Sequence, residues 1–142
     1  MIVVKIPKKI RLEKLNFPQR EMLRLGELGV EAVKARVEAG RNLQDAPSKP
    51  LSKSYARRKL RARRKPIRDL KFTGKMMGAF RVRRTAENFA TAGLGGERNK
   101  GLFNQRIEEW LGFSEANRRR VLAEGQAILN RMKDRLVRVI KG

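Results

Sequence analysis

Apolar residues recur at helical spacing in two long stretches of this chain and at strand spacing in a short stretch between them. Met22, Leu25, Leu28, Gly29, Val33 and Val37 trace one face of a helix, with Asn16 placed to cap it, Pro18 in its first turn and Gly40 to stop it. At the other end, Val121, Leu122, Gly125, Ile128, Leu129, Met132, Leu136, Val139 and Ile140 form a stripe of 3.6 period behind a capping Ser114. So long a stripe exceeds what a domain of this size covers, and part of it is expected to pack on another subunit.

The middle of the chain changes period. Residues 42–50 carry Asp45, Pro47, Ser48 and Pro50, which is turn chemistry. Ser52 caps a short predicted helix running to about Arg64, before Pro66. Its apolar side is thin, consisting of Ala56 and Leu60 with Tyr55 and Ala62 beside them. Arg57, Arg58, Arg61 and Arg64 stand three and four residues apart, and like-charge pairs at that spacing oppose a helix by roughly 0.2–0.5 kcal/mol each. This helix is therefore expected to be mobile until an anion or a neighbour arrives. In the segment FTGKMMGAF, Thr73 is placed to cap one helical turn, and Thr73, Gly74, Met77 and Phe80 form the expected core of that segment, beside Met76.

From Arg81 the period becomes two, Glu87 and Asn88 supply a turn, and 89–94 returns, which predicts a β-hairpin with one charged face. Gly93, Gly95 and Gly96 free the backbone ahead of a polar loop at 97–100. Residues 103–111 then read as a short helix with Phe103, Ile107, Trp110 and Leu111 buried, Arg106, Glu108 and Glu109 outward, and Gly112 ending it. Near the start, the β-branched residues 2–6 end at Pro7 and suit an edge strand or an arm added to another subunit's sheet. The fold class expected is α+β: long N-terminal and C-terminal helices packed on a small antiparallel sheet with the hairpin. The 142 residues form one domain, with 41–71 as a basic loop and short-helix arm within it.

Charge sharpens this picture. The chain carries 36 Lys and Arg against 14 Asp and Glu, a net charge of +22. Fifteen of those basic residues fall within 49–84, where Asp69 is the single acid. Cations at this density neutralise phosphates and release condensed counterions, a contribution that carries no base-sequence information. Repulsion within and between copies must be offset by a core, an anion or a partner subunit.

The same composition narrows the chemistry. There is no Cys and no His, which removes disulfides, zinc sites, thiol nucleophiles and imidazole bases. Asp45, Asp69, Glu87 and Glu97 are single carboxylates without a motif, which argues against a metal-dependent nuclease, and Glu108 with Glu109 reads as a solvated face. The Gly-rich stretch GLGGERNKG lacks the spacing of a phosphate loop and reads as a flexible loop. No enzyme, cofactor or metal is expected. No apolar run approaches bilayer length, MIVV is too short for a signal-peptide core, and the most basic segment lacks an aromatic wedge for lipid, so no membrane partner is expected.

Three segments in order carry a resemblance: PLSKSYARRK at 50–59, LKFTGKMMGAFRV at 70–82 and FNQRIEEWLGFSEANRRRVL at 103–122. Together they resemble the tailed-phage virion-morphogenesis family of tail-completion, head-tail joining and neck proteins. In that family a Pro-Leu-Ser-x-x-Tyr segment opens a basic helix, a Thr-Gly segment leads into a hairpin, and a Leu-Gly-Phe/Leu-Ser turn introduces the last helix. The resemblance covers roughly 42–122 and departs at Asp45-Ala46, where Asp-Gly is expected, and at Phe80 after Ala79.

It implies a virion protein at the neck or tail end, assembled in the host cytoplasm as a ring of its own copies. Its implied neighbours are the portal or connector and the tail-terminator or tail-tube proteins, with double-stranded DNA contacted non-specifically. On that reading Arg57, Arg58, Arg61, Arg63, Arg64 and Lys65 line the channel or clamp an acidic neighbour. Trp110, Phe113, Leu129 and Leu136 pack between subunits, and the hairpin and residues 2–6 join neighbours by strand addition. A free-standing sequence-independent nucleic-acid-binding protein, nucleoid- or ribosome-associated, would have the same composition. It is disfavoured because the basic segment lacks aromatics for stacking and no helix-turn-helix or RNA-binding signature is present.

Overall fold

Helix α1 spans Gln19–Glu38 in the computed structural model, which describes residues 17–71 and 73–141. Pro18 occupies the position before the helix, where its missing N–H costs nothing, and its carbonyl accepts from Glu21 and Met22. The expected cap Asn16 and the strand at 2–6 lie outside the described residues. At the other end Gly40 takes φ +68°, the left-handed conformation that stops a helix without a Cβ penalty. The buried face of α1 is broader than the apolar stripe, because Val30, Ala32 and Arg36 join Gly29, Val33 and Val37.

The remaining elements are arranged around α1. Helix α2 spans Lys53–Arg61, α3 spans Lys75–Ala79, and β1 (Arg81–Ala86) pairs antiparallel with β2 (Phe89–Gly93). Helix α4 spans Arg98–Ile107 and α5 spans Glu115–Lys141. The fold is thus α+β, with two long helices and a two-stranded hairpin. α1 packs on both hairpin strands and on α5. Its Arg24 meets Glu124 while its Ala32 meets Asn117, so α1 and α5 run antiparallel.

The hairpin turn falls at Glu87-Asn88, with Asn88 at φ +65°. Asn88 also ties the turn to the start of α1, accepting from the Phe17 N–H at 2.8 Å and donating its own N–H to the Phe17 carbonyl. Between Val82 and Arg84 the register shifts, so Arg83 forms a bulge, and its guanidinium donates to the carbonyls of Ala79 and Gly93. Val82 and Ala90 face α1 at Gly26, where an added Cβ would sit 2.9 Å from the Ala90 Cβ.

The core joins Val30, Val33 and Val37 of α1 to Met76, Met77, Phe80, Leu94 and Trp110. Phe80 and Trp110 meet edge to face, with ring centroids 5.9 Å apart, and the Trp110 indole N–H donates to the Gly101 carbonyl.

The structure departs from the sequence pattern at several residues. Thr73 is exposed and does not cap α3 in the ordinary way: Gly74 at φ +81° precedes the helix, and Thr73 accepts only a long bond from the Lys75 N–H. Met77 and Phe80 are buried as expected, and Met76 with them. The polar loop at 97–100 is instead a 3-10 turn (Gly95–Glu97) running into α4, so that helix starts and ends earlier than its apolar spacing suggested. Consequently Phe103, Ile107 and Leu111 are exposed and only Trp110 goes in. In α5 the Ser114 cap holds, accepting from the Asn117 N–H at 3.2 Å, but Leu122 is 71% exposed while Ile128 is fully buried.

Candidate nucleic-acid interface

The basic segment is tied down at its base and open at its tip. Glu108, expected to be solvated, turns inward and accepts two bonds from the Lys49 N–H, at 2.9 and 3.1 Å. It also takes one from the Asn42 amide and lies 3.8 Å from Arg68. Arg68 donates in turn to the Lys49 carbonyl, and the Leu43 N–H donates to the Glu109 carbonyl. One carboxylate thus gathers both ends of the 41–71 arm against the end of α4.

Helix α2 rises from this base. Ser52 accepts from the Tyr55 N–H, as the sequence suggested, but the helix ends at Arg61, and Arg63 takes φ +55° to turn the chain. Its inward face is also different from the one expected. Leu60 is 56% exposed, and the position that goes in is Lys59, only 1% exposed. The Lys59 ammonium lies 2.5 Å from the Asp69 carboxylate and 2.8 Å from the Ile67 carbonyl. Asp69 accepts from the Lys71 N–H as well. A buried cation of this kind persists only when fully paired, and the lone acid of the basic stretch pairs it.

This geometry sorts the cations by role. Lys59 and Arg68 are internal fasteners, whereas Arg57, Arg58, Arg61, Arg63, Arg64 and Lys65 are all exposed at the tip. No carboxylate of the described residues forms an ion pair with Arg57, Arg61, Arg63, Arg64 or Lys65. Arg57 donates to the neutral Lys53 carbonyl. The six expected contact residues are thus all exposed and fall within one short stretch, 57–65, where nearby like charges reinforce one another.

A second polar centre holds the helices together. Arg36, 5% exposed, donates to the Gly112 carbonyl at 3.0 Å, to the Asn117 side chain at 2.9 Å and to the Trp110 carbonyl. Burial pushes its guanidinium below the ordinary arginine range, and Asp45 opposes that shift. Arg36 sits among apolar neighbours at helical spacing, and only its partners on a distant segment explain it.

The expected subunit-packing residues separate. Trp110, 4% exposed, belongs to this chain's own core, because its indole N–H and its ring are both already satisfied there. Phe113 is exposed but lays its ring tip against Gly29, Leu129 is half-buried, and the Leu136 side chain lies outside the described residues.

Among the described residues no group of three acidic side chains could hold a metal ion, and no helix is long and apolar enough to cross a membrane. The chain matches no family model, no curated protein and no solved structure.

Proposed function

We propose that this protein is a structural, non-enzymatic virion component of a tailed phage. It acts as a neck or tail-completion ring that helps join head to tail and borders the DNA channel. The observation that carries this reading is the exposed cation cluster at 57–65, separate from the fastening pairs of Lys59 and Arg68. Phosphate contacts from such a cluster hold DNA without fixing register to sequence, which lets a duplex slide. The motif order over 42–122 adds the phage context. In this role the partners are further copies of the chain, the portal or connector, and the tail-terminator or tail-tube proteins, in the virion and in the host cytoplasm during assembly.

The test is deletion of the gene in the phage or prophage that carries it, followed by electron microscopy of the lysate. Filled heads lying apart from tails, or tails with unfinished ends, are the expected result, and complementation with Gln at all six positions should fail to restore assembly or DNA retention. Normal infectious particles would overturn the virion reading in favour of a free-standing nucleic-acid binder. Full rescue by the six-Gln chain would remove the role of the cluster while leaving the joining role intact.

A further inference from the structure

Helix α5 outruns the helix it packs on. Arg24 meets Glu124 at 3.1 Å and the Ala32 carbonyl meets Asn117. At roughly 1.5 Å per residue in each helix, this antiparallel pairing brings Gln19, the first residue of α1, level with about residue 130 of α5. α5 continues to Lys141, about 16 Å further. In sequence, Met132, Leu136, Val139 and Ile140 keep the apolar spacing of Ile128 across that extension, where α1 no longer runs beside it. An apolar stripe carried past the end of its partner helix gains from a cover.

The start of α1 holds a second unanswered group. One oxygen of the Glu21 carboxylate is buried there, and no described residue donates a hydrogen bond to it. Glu21 stands three turns before Ala32 and so on the face of α1 that meets α5. At this third position of a helix a glutamate ordinarily accepts from the N–H of the capping residue, but here that residue is Pro18, which has no N–H. Arg24 and Arg131, about one turn away in register, both pair with Glu124, at 3.1 and 3.4 Å. A buried carboxylate oxygen calls for a donor, and a cation is the strongest one.

The chain itself supplies both kinds of group. The residues ahead of Phe17 include the apolar Ile6, Ile10, Leu12 and Leu15, and they carry Lys5, Lys8, Lys9, Arg11 and Lys14 against the single acid Glu13. They join the described structure beside Glu21: Phe17 exchanges hydrogen bonds with Asn88 at the hairpin tip, and the Gln19 side chain donates to Thr85. A segment tethered there meets Glu21 and the free end of α5 at high effective concentration, whereas a second copy must bring +22 up to +22. We propose that residues 1–16 dock on their own chain, a Lys or Arg among them pairing with Glu21 and their apolar residues covering α5 from Met132 onward. This contact does not depend on what the cluster at 57–65 binds.

Hydrogen exchange at the α5 amides 131–141 tests it, in the full chain and in a chain lacking residues 2–14. The deletion is expected to speed exchange there by about tenfold while the α1 amides at 27–38 stay as protected as before. In the full chain Glu21→Gln is expected to speed the same α5 amides by about threefold, and in the shortened chain to add nothing. A full-length chain with Lys5→Gln, Lys8→Gln, Lys9→Gln, Arg11→Gln and Lys14→Gln gives the same comparison without truncation, and there too Glu21→Gln should add nothing. Exchange at 131–141 that ignores the deletion would overturn the proposal. So would an equal effect of Glu21→Gln with and without the five cations, since the carboxylate would then act without the segment. Protection in the full chain is expected to hold on dilution from about 100 to about 1 µM, and its loss would put the segment of a second copy on α5 and overturn docking within one chain.

Discussion

Two glycines inside long helices illustrate how residue identity acquires meaning only from its surroundings. Alanine is favoured over glycine in a helix interior by about 1 kcal/mol, so intrinsic propensity favours replacing both Gly26 and Gly125. At Gly125 an added Cβ meets nothing within 4 Å, and Gly125→Ala should raise stability by about 0.5–1 kcal/mol in chemical denaturation. At Gly26 the Cβ would press on the Ala90 Cβ, which is attached directly to strand backbone, so α1 and the hairpin must separate. Gly26→Ala should therefore cost about 1–3 kcal/mol net of the propensity gain. Gly29 is the intermediate case: its Cβ would meet only the tip of the half-exposed Phe113 ring, which can rotate away, so Gly29→Ala should cost less than Gly26→Ala. Equal effects at the three sites would mean that propensity rather than packing decides them.

At the scale of elements, α2 is a helix held by a charge pair where a leucine was expected. The like-charge repulsion along its outer face opposes it, and the inward-facing side chain that anchors it is Lys59 on Asp69. Removing one member leaves the other charged and unpaired in a buried site, so Asp69→Asn is expected to destabilise by about 3–5 kcal/mol. Replacing both with apolar residues, Lys59→Met with Asp69→Leu, should recover most of that loss, because neither desolvation cost then applies. Urea denaturation of the single and double variants, with hydrogen exchange at the α2 amides, measures both. A double variant as unstable as Asp69→Asn alone would show that the pair is needed for geometry beyond its charge. Lys59 was hidden in the sequence because a lysine among arginines reads as one more surface cation. The available signal was Asp69, the single acid in that stretch, ten residues away. Glu108 is concealed for a related reason: next to Glu109 its position suits a solvated acidic face, and only the fold brings the Lys49 N–H to it.

For the whole molecule, the excess of cations acts on stability as well as on binding. With 36 basic residues against 14 acidic ones, the surface ion pairs cannot neutralise the field, and the folded state concentrates that repulsion. Raising salt from about 0.02 to about 0.5 M shortens the Debye length from roughly 20 to 4 Å, so the melting temperature should rise. A chain held mainly by its exposed ion pairs would respond in the opposite direction. A fall in melting temperature across this range would show that pairs such as Arg24–Glu124 outweigh the net repulsion.

The sequence by itself determined the α+β class, the two long helices, the hairpin with its Glu87-Asn88 turn, the Ser52 and Ser114 caps and the clustering of charge. These depend on periodicity, local capping and composition, which are properties of neighbours in the chain. Tertiary structure alone decided which face of α2 goes in, that α4 begins at Arg98 and leaves Phe103 outside, that Trp110 packs within its own chain's core rather than between subunits, and that Arg36 is a buried hub. Those outcomes are set by partners about seventy residues apart or by a cleft between elements, and the physical cost of burying a charge is known only once the group that meets it is in place.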